Sequence, residues 1–219
     1  MRKDDSSPAN RNVRIGSHRL EGTLTIPPDA KGVVIFAHGS GSSRRSPRNT
    51  HVALAFNTRG LATLLFDLLT EPEAAERANV FDIPLLGARV AEAVSWTRRD
   101  GDTGNLTIGL FGASTGAAAA LVAAAQTPDD VSAVVSRGGR PDLAGAFLPR
   151  VRAPTLLIVG GADVDVIGLN RRAMSMLACE KRLDIVPGAT HLFEEPGALE
   201  QVVELAAHWF EKHPGSAAS

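Results

Sequence analysis

The chain has 219 residues, 44% of them hydrophobic and 21% charged, with a formal net charge of -1. This is the composition of an ordinary globular domain able to bury a substantial core, and it gives no electrostatic reason to expect nucleic acid or an anionic membrane surface as a partner. The one cysteine, Cys179, cannot form an internal disulfide, and no apolar run nears the roughly 20 residues that span a bilayer. With the polar start MRKDDSSPANRN, these features predict a cytoplasmic protein without a membrane partner.

Residues 1–12 read as a flexible N-terminus, 13–213 as one α/β domain and 214–219 as a flexible tail. Val13–Ile15 and Leu20–Ile26 alternate apolar and polar residues, as half-exposed strands do, with Gly16–Arg19 as a hairpin turn. The continuous apolar runs Val33–Ala37, Ala62–Phe66, Leu106–Phe111, Val131–Val135 and Thr155–Val159 have the pattern of strands covered on both faces. Lys181–Val186 alternates again, which predicts a strand nearer an edge. Helical spacing joins Leu86, Val90, Ala93, Val94 and Thr97, and later Leu199, Val202, Val203, Ala206 and Phe210. Between Leu68 and Leu85 the segment TEPEAAERANVFDIP predicts a short helix beside a pocket. About eight strands with helices in most crossovers describe a mostly parallel sheet wrapped on both faces.

The chemistry centres on Gly112-Ala113-Ser114-Thr115-Gly116, a G-x-S-x-G turn between a buried strand and the alanine-rich helix Ala117–Ala125. Such a turn strains its central residue and lifts it above the sheet, beside the positive end of a helix. Ser114 is therefore the candidate nucleophile. Three histidines follow it: His191, His208 and His213. His208 lies in the last helix and His213 near the tail, whereas His191 sits in the loop VPGATHLF after the last strand, where function gathers in an open α/β sheet. The acid that orients it should follow the preceding strand. Asp163 stands directly after a glycine pair there, with Asp165 as the alternative.

An acyl-transfer intermediate needs two donors for its oxyanion. The backbone N–H of Thr115 is one candidate. The other is that of Ser40, with that of Gly41 as the near alternative, in the loop His38-Gly39-Ser40-Gly41-Ser42-Ser43, where Gly39 and Gly41 let the backbone approach a ligand. His38 and Asp67 are expected to be structural. Arg44, Arg45 and Arg48 continue that loop, and Arg137 and Arg140 follow the strand Val131–Val135. Arginine matches carboxylate and phosphate with paired hydrogen bonds, so Arg44, Arg45, Arg137 and Arg140 are candidate contacts to an anionic substrate or ligand. The competing expectation pairs them with Glu71, Glu73 or Asp142. No cluster with metal-ligand spacing is present, so neither metal nor cofactor is expected.

The stretches HGSGSS, GASTG, GGAD and PGATHLF, in this order, resemble the α/β-hydrolase superfamily, above all its compact dienelactone-hydrolase-like branch. The resemblance spans Val13 to Phe210 and implies eight strands with the second antiparallel and a Ser114–His191–Asp163 triad; the length itself leaves room for little or no cap. Dienelactone hydrolase itself has cysteine as nucleophile, so its substrate is not carried over; Cys179 reads as an apolar filler. SSRRSPRN and VPGATHLFEEPGALE also resemble small hydrolases fused to, or encoded beside, phosphoribosyltransferases, which implies a functional association with such an enzyme. The expected activity is hydrolysis of an ester, lactone or thioester through an acyl-enzyme, by a monomer or homodimer acting on a small, shallowly bound substrate. The alternatives are a binding or partner-supporting protein on the same fold, and an acyltransferase or perhydrolase using the same triad.

Overall fold

A computed structural model describes residues 8–214. Eight strands form one sheet in the order β1-β2-β4-β3-β5-β6-β7-β8. They are β1 Ala9–Ile15, β2 Leu20–Ile26, β3 Gly32–Ala37, β4 Leu61–Phe66, β5 Thr107–Ala113, β6 Val131–Arg137, β7 Thr155–Gly160 and β8 Lys181–Val186. β2 runs antiparallel to both β1 and β4, and every pairing from β4 to β8 is parallel. The helices are α1 Pro47–Thr58, α2 Glu71–Ala75, α3 Arg77–Val80, α4 Ile83–Arg99, α5 Thr115–Gln126, α6 Val164–Met176 and α7 Ala198–Lys212. A 3-10 helix over Pro141–Arg150, kinked at Gly145, joins β6 to β7.

The expected flexible segment 1–12 is corrected at its end: β1 begins at Ala9, and Ala9–Asn12 pair in register with Thr23–Ile26. These four residues are exposed, so no apolar alternation marks them; an edge hairpin ladder holds them instead. The rest of that segment, and 215–219 of the expected tail, lie outside the described residues. The five apolar runs correspond to β3–β7, and β8 is an edge strand.

Two apolar layers cover the sheet. On one face Phe36 and Phe111 of the sheet pack against Phe56 of α1 and Val202 and Phe210 of α7. On the other, Val90, Val94, Leu121 and Val122 pack α4 and α5 against the strands. Local sequence fixes where these helices start. Ser46 accepts from the Asn49 N–H with Pro47 in the first turn, Thr70 and Glu73 form a reciprocal capping box, and Asp82 accepts from the Leu85 N–H. Helix α5 differs, because eleven of its residues, Thr115–Ala125, are buried and most are alanine. Their small side chains let it lie close to both the sheet and α4. Among the described residues no helix is long and apolar enough to cross a membrane.

The carboxyl ends of β3–β8 share one edge. Because β2 is antiparallel, its start and the 16–19 turn lie at that edge too, opposite the end of β4 at Phe66. The α4–α5 contact supplies a test of the packing. A β-carbon on Gly87 would lie 2.4 Å from Val122 Cγ1. Gly87→Ala is therefore expected to cost about 1–3 kcal/mol by overpacking. Urea melts should show part of that loss restored when Val122→Ala is added; a neutral single variant would mean that the helices are not in close contact here.

Candidate active site

Ser114 links β5 to α5 with φ 51° and ψ −123°, a backbone conformation that costs a non-glycine residue about 1–3 kcal/mol. Two close approaches hold it there. A β-carbon on Gly112 would lie 2.4 Å from Ala117 Cα, and one on Gly116 would lie 2.1 Å from the Ala37 carbonyl oxygen. Both positions therefore exclude any side chain. The Ser114 N–H donates to the Arg137 carbonyl at 3.3 Å, and the Ser114 carbonyl accepts from the Arg140 N–H at 3.0 Å. The turn is thus tied to the segment that follows β6.

His191 and Asp163 come from neighbouring loops on the same edge. His191 Nδ1 lies 2.7 Å from Asp163 Oδ2. The loops are laced by backbone: the Gly161 N–H donates to the Val186 carbonyl at 2.8 Å, and the Ala162 N–H to the Ala189 carbonyl at 2.9 Å. Gly160 is needed for this approach, since its β-carbon would sit 2.3 Å from the Ala189 oxygen. Between the two candidate acids the geometry is one-sided. Asp163 precedes α6 and faces the imidazole, whereas Asp165 is exposed within its first turn. With Nδ1 bound to the carboxylate, Nε2 is left to accept a proton. Among the described residues no hydrogen bond joins Ser114 Oγ to His191, although Gly138 packs against the His191 carbonyl directly after the strand that holds the serine turn. His208 lies in α7, and His213 just follows it.

Phe193 is the positioning residue that sequence reasoning missed. It is buried at 2% exposure yet has φ 56°, so it anchors the His191 loop in the core layer beneath α1 and α7 at some backbone strain. Its one sequence signal was a large aromatic two residues after the histidine.

The Ser40 N–H donates to Thr115 Oγ1 at 2.9 Å, so in this conformation a hydroxyl occupies the donor expected to face an oxyanion. Thr115 is the first residue of α5 and is buried. Gly39 packs on the serine, its β-carbon position lying 3.7 Å from Ser114 Oγ. His38 is structural as expected: Nδ1 donates to the Gly39 carbonyl at 3.0 Å, and Nε2 accepts from the Leu68 N–H at 3.1 Å. Burial pushes its pKa below the ordinary 6.5 despite that Gly39 bond and nearby Asp67. Beside this loop opens a cavity of about 680 Å³, lined by His18, Leu20, Gly39, Ser40, Gly41 and Leu86, with Ala74 of α2 and Val80 of α3 on its far wall. Two short helices thus stand where one was expected. Neither Ser114 nor His191 lines this cavity.

The arginines separate. Arg44 is held by Asp67 and Glu21, and Arg140 by Asp142 at 2.8 Å. Carboxylates thus pair with both, as the competing expectation had it for Arg140 and Asp142, while Arg44 also lines the cavity beside the Ser40 loop. Arg45 is exposed and lines a different groove, with Asn12, Thr25 and Asn57, between the β1–β2 hairpin and α1. Arg48 pairs with Glu194 at 2.9 Å. Arg137 alone is both buried and without a carboxylate partner among the described residues. Leu143, Val164 and Leu192, all on segments leaving the carboxyl edge, are exposed. Among the described residues no group of three His, Cys, Asp or Glu is placed to hold a metal ion.

Against known proteins, the profile of the dienelactone hydrolase family matches residues 20–212. A protein of Mycobacterium tuberculosis named a putative phosphoribosyl transferase is 59% identical over 201 residues, which are 92% of this chain and 45% of that protein. The chain thus spans less than half the length of that relative. A crystal structure of dienelactone hydrolase from Anabaena variabilis superposes with a TM-score of 0.91 at 53% identity, covering 95% of this chain and 100% of the other. Est1E from Butyrivibrio proteoclasticus, at 16% identity and a TM-score of 0.77 over 93% of this chain and 98% of that one, shares the fold.

Two measurements check this geometry without reference to activity. If Ser114 is strained, Ser114→Gly should be more stable than Ser114→Ala by about 1 kcal/mol, since glycine adopts positive φ freely; equal denaturation midpoints would remove the strain. For His38, the folded pKa lies below 6.5, so the unfolded chain takes up the proton more readily. The stability this residue contributes is present above pH 6.5 and lost as the pH falls. His38→Asn should flatten that loss, leaving a slope from His213, whose pKa burial also lowers.

Proposed function

The chain belongs to the dienelactone hydrolase family, and on that premise we propose that it is a serine hydrolase in which Ser114, His191 and Asp163 cleave an ester, lactone or thioester. The observation that carries this reading is the strained Ser114 turn sharing one sheet edge with the His191–Asp163 pair. A serine hydroxyl at neutral pH is a weak nucleophile, and a backbone held in so costly a conformation suits a residue selected for reactivity.

In the first step Ser114 Oγ bonds to the carbonyl carbon and its proton passes to His191 Nε2. Asp163 holds the tautomer and stabilises the imidazolium. The carbonyl π pair moves to oxygen, which takes hydrogen bonds from the Thr115 and Ser40 N–H groups; the Ser40 donor exchanges the Thr115 hydroxyl for the stronger anionic acceptor. The C–O or C–S bond then breaks, and the imidazolium returns its proton to the leaving group. Water repeats the sequence on the acyl-enzyme and frees Ser114. Leu143, Val164 and Leu192 are exposed on segments that leave the same edge, an apolar surface that would suit a small acyl or alcohol portion.

The active unit is residues 13–213, extended by the edge strand from Ala9. The name of the Mycobacterium tuberculosis relative, and its greater length, favour a functional association with a phosphoribosyltransferase.

A fluorophosphonate probe read by intact mass tests the nucleophile. One adduct is expected on the wild type and none on Ser114→Ala. With a short p-nitrophenyl ester, Asp163→Asn should lower kcat by about 10⁴, the scale on which a wrongly oriented imidazole acts, while Asp165→Asn stays near wild type. A folded wild type that takes no adduct would favour a binding protein on the same fold.

A further inference from the structure

Arg137 ends β6 in the row Ala133, Val135, Arg137, on the face that packs against α1 and α7. Its side chain continues an apolar stripe at the carboxyl edge, and the residue is only 8% exposed. Nη2 donates to Asn49 Oδ1 at 3.3 Å, while Nε and Nη1 are buried with no partner. The charge that bears on it is that of Arg48, another cation; burial and then Arg48 push its pKa down to about 10. It stays charged at neutral pH, and a buried cation normally has a paired anion. Among the described residues the molecule supplies none.

The surroundings suit an anion. Asn49 lies in the first turn of the twelve-residue helix α1, whose N-terminal end favours negative charge. Arg48, one residue earlier, pairs with Glu194 across the gap to the His191 loop, with side-chain exposures of 36% and 64%. Exposed pairs of this kind are weak and easily exchanged. The main chain at this position adjoins the chemistry: the Arg137 carbonyl accepts from the Ser114 N–H, and a β-carbon on Gly138 would lie 2.9 Å from the His191 carbonyl oxygen. Arg44 and Arg140 are held more firmly than Arg48, Arg44 by both Asp67 and Glu21 and Arg140 by two hydrogen bonds to Asp142.

We propose that Arg137 and Arg48, with Asn49 and the first turn of α1, bind an oxyanion, a carboxylate or a phosphate, carried by the substrate next to Ser114. Arg48 exchanges Glu194 for the ligand, and Arg137 gains its missing counter-charge. That the anion belongs to a substrate rests on reading Ser114 as the nucleophile; the binding itself does not.

The test uses Ser114→Ala, which cannot turn over a ligand, titrated calorimetrically with succinate and, separately, inorganic phosphate at low ionic strength. Binding of either is expected, and the preferred one identifies the oxyanion. Adding Arg137→Gln or Arg48→Ala should weaken it at least about tenfold, as loss of a hydrogen bond to a charged group does. If Arg137→Gln does not fold by circular dichroism, the exposed Arg48→Ala decides. Failure of both anions to bind, or binding indifferent to the variants that fold, overturns the proposal. Fluorophosphonate labelling of wild type without anion binding sinks this inference alone, and anion binding without labelling sinks only the nucleophile reading.

Discussion

A β-carbon at Gly116 would overlap the Ala37 carbonyl oxygen at 2.1 Å, so α5 meets the end of β3 at a separation that only glycine permits. That contact sets the height of the strand–helix turn and therefore where Ser114 stands. It also brings the loop after β3 against the same turn, and the Ser40 N–H reaches Thr115 as a result. The long run of alanines behind it serves one end, since larger side chains would lift the helix and carry the serine with it.

The other half of the site is held by backbone rather than by side chains. The loops after β7 and β8 exchange main-chain hydrogen bonds at Gly161 and Ala162, and Phe193 plugs the second loop into the core. The Asp163–His191 distance is thus inherited from strand pairing. Side-chain electrostatics works differently on the two flanks. Around β2 and β4 arginines and carboxylates neutralise one another, as Arg44 does with Asp67 and Glu21. Around β6 and α1, among the described residues, no carboxylate meets Arg137.

Much of the fold was legible because buried parallel strands are written as unbroken apolar runs, and β3–β7 follow those runs closely. The turn at Ser114 was legible for a second reason: its glycines answer steric demands that no other residue meets. The start of β1 was not, since Asn10, Arg11 and Asn12 sit on an exposed edge where pairing needs no apolar side chain. Nor were all the arginine partners, although Asp142, which holds Arg140, was among those expected. Arg44 meets Glu21 and Asp67 only because β2 and β4 are neighbours in the sheet, a relation that local sequence does not encode. The burial of Arg137 did leave a trace. It keeps step with Ala133 and Val135, and strict alternation would have placed it on their face of the sheet, both faces of this strand being covered.

The strand order has a consequence for how the chain reaches its working form. Of the seven pairings in the sheet, only β1–β2 joins strands through a tight hairpin turn; the others close over long intervening segments. Loop-closure entropy must be overcome before those contacts give anything back, so such a topology folds slowly relative to one built from local contacts. Ser114, Asp163 and His191 belong to segments that end β5, β7 and β8, so their meeting waits for the last strand at the far edge. Any partly folded chain that lacks β8 would leave the edge of β7 unpaired, and with it an aggregation hazard, while Asp163 and His191 are still apart.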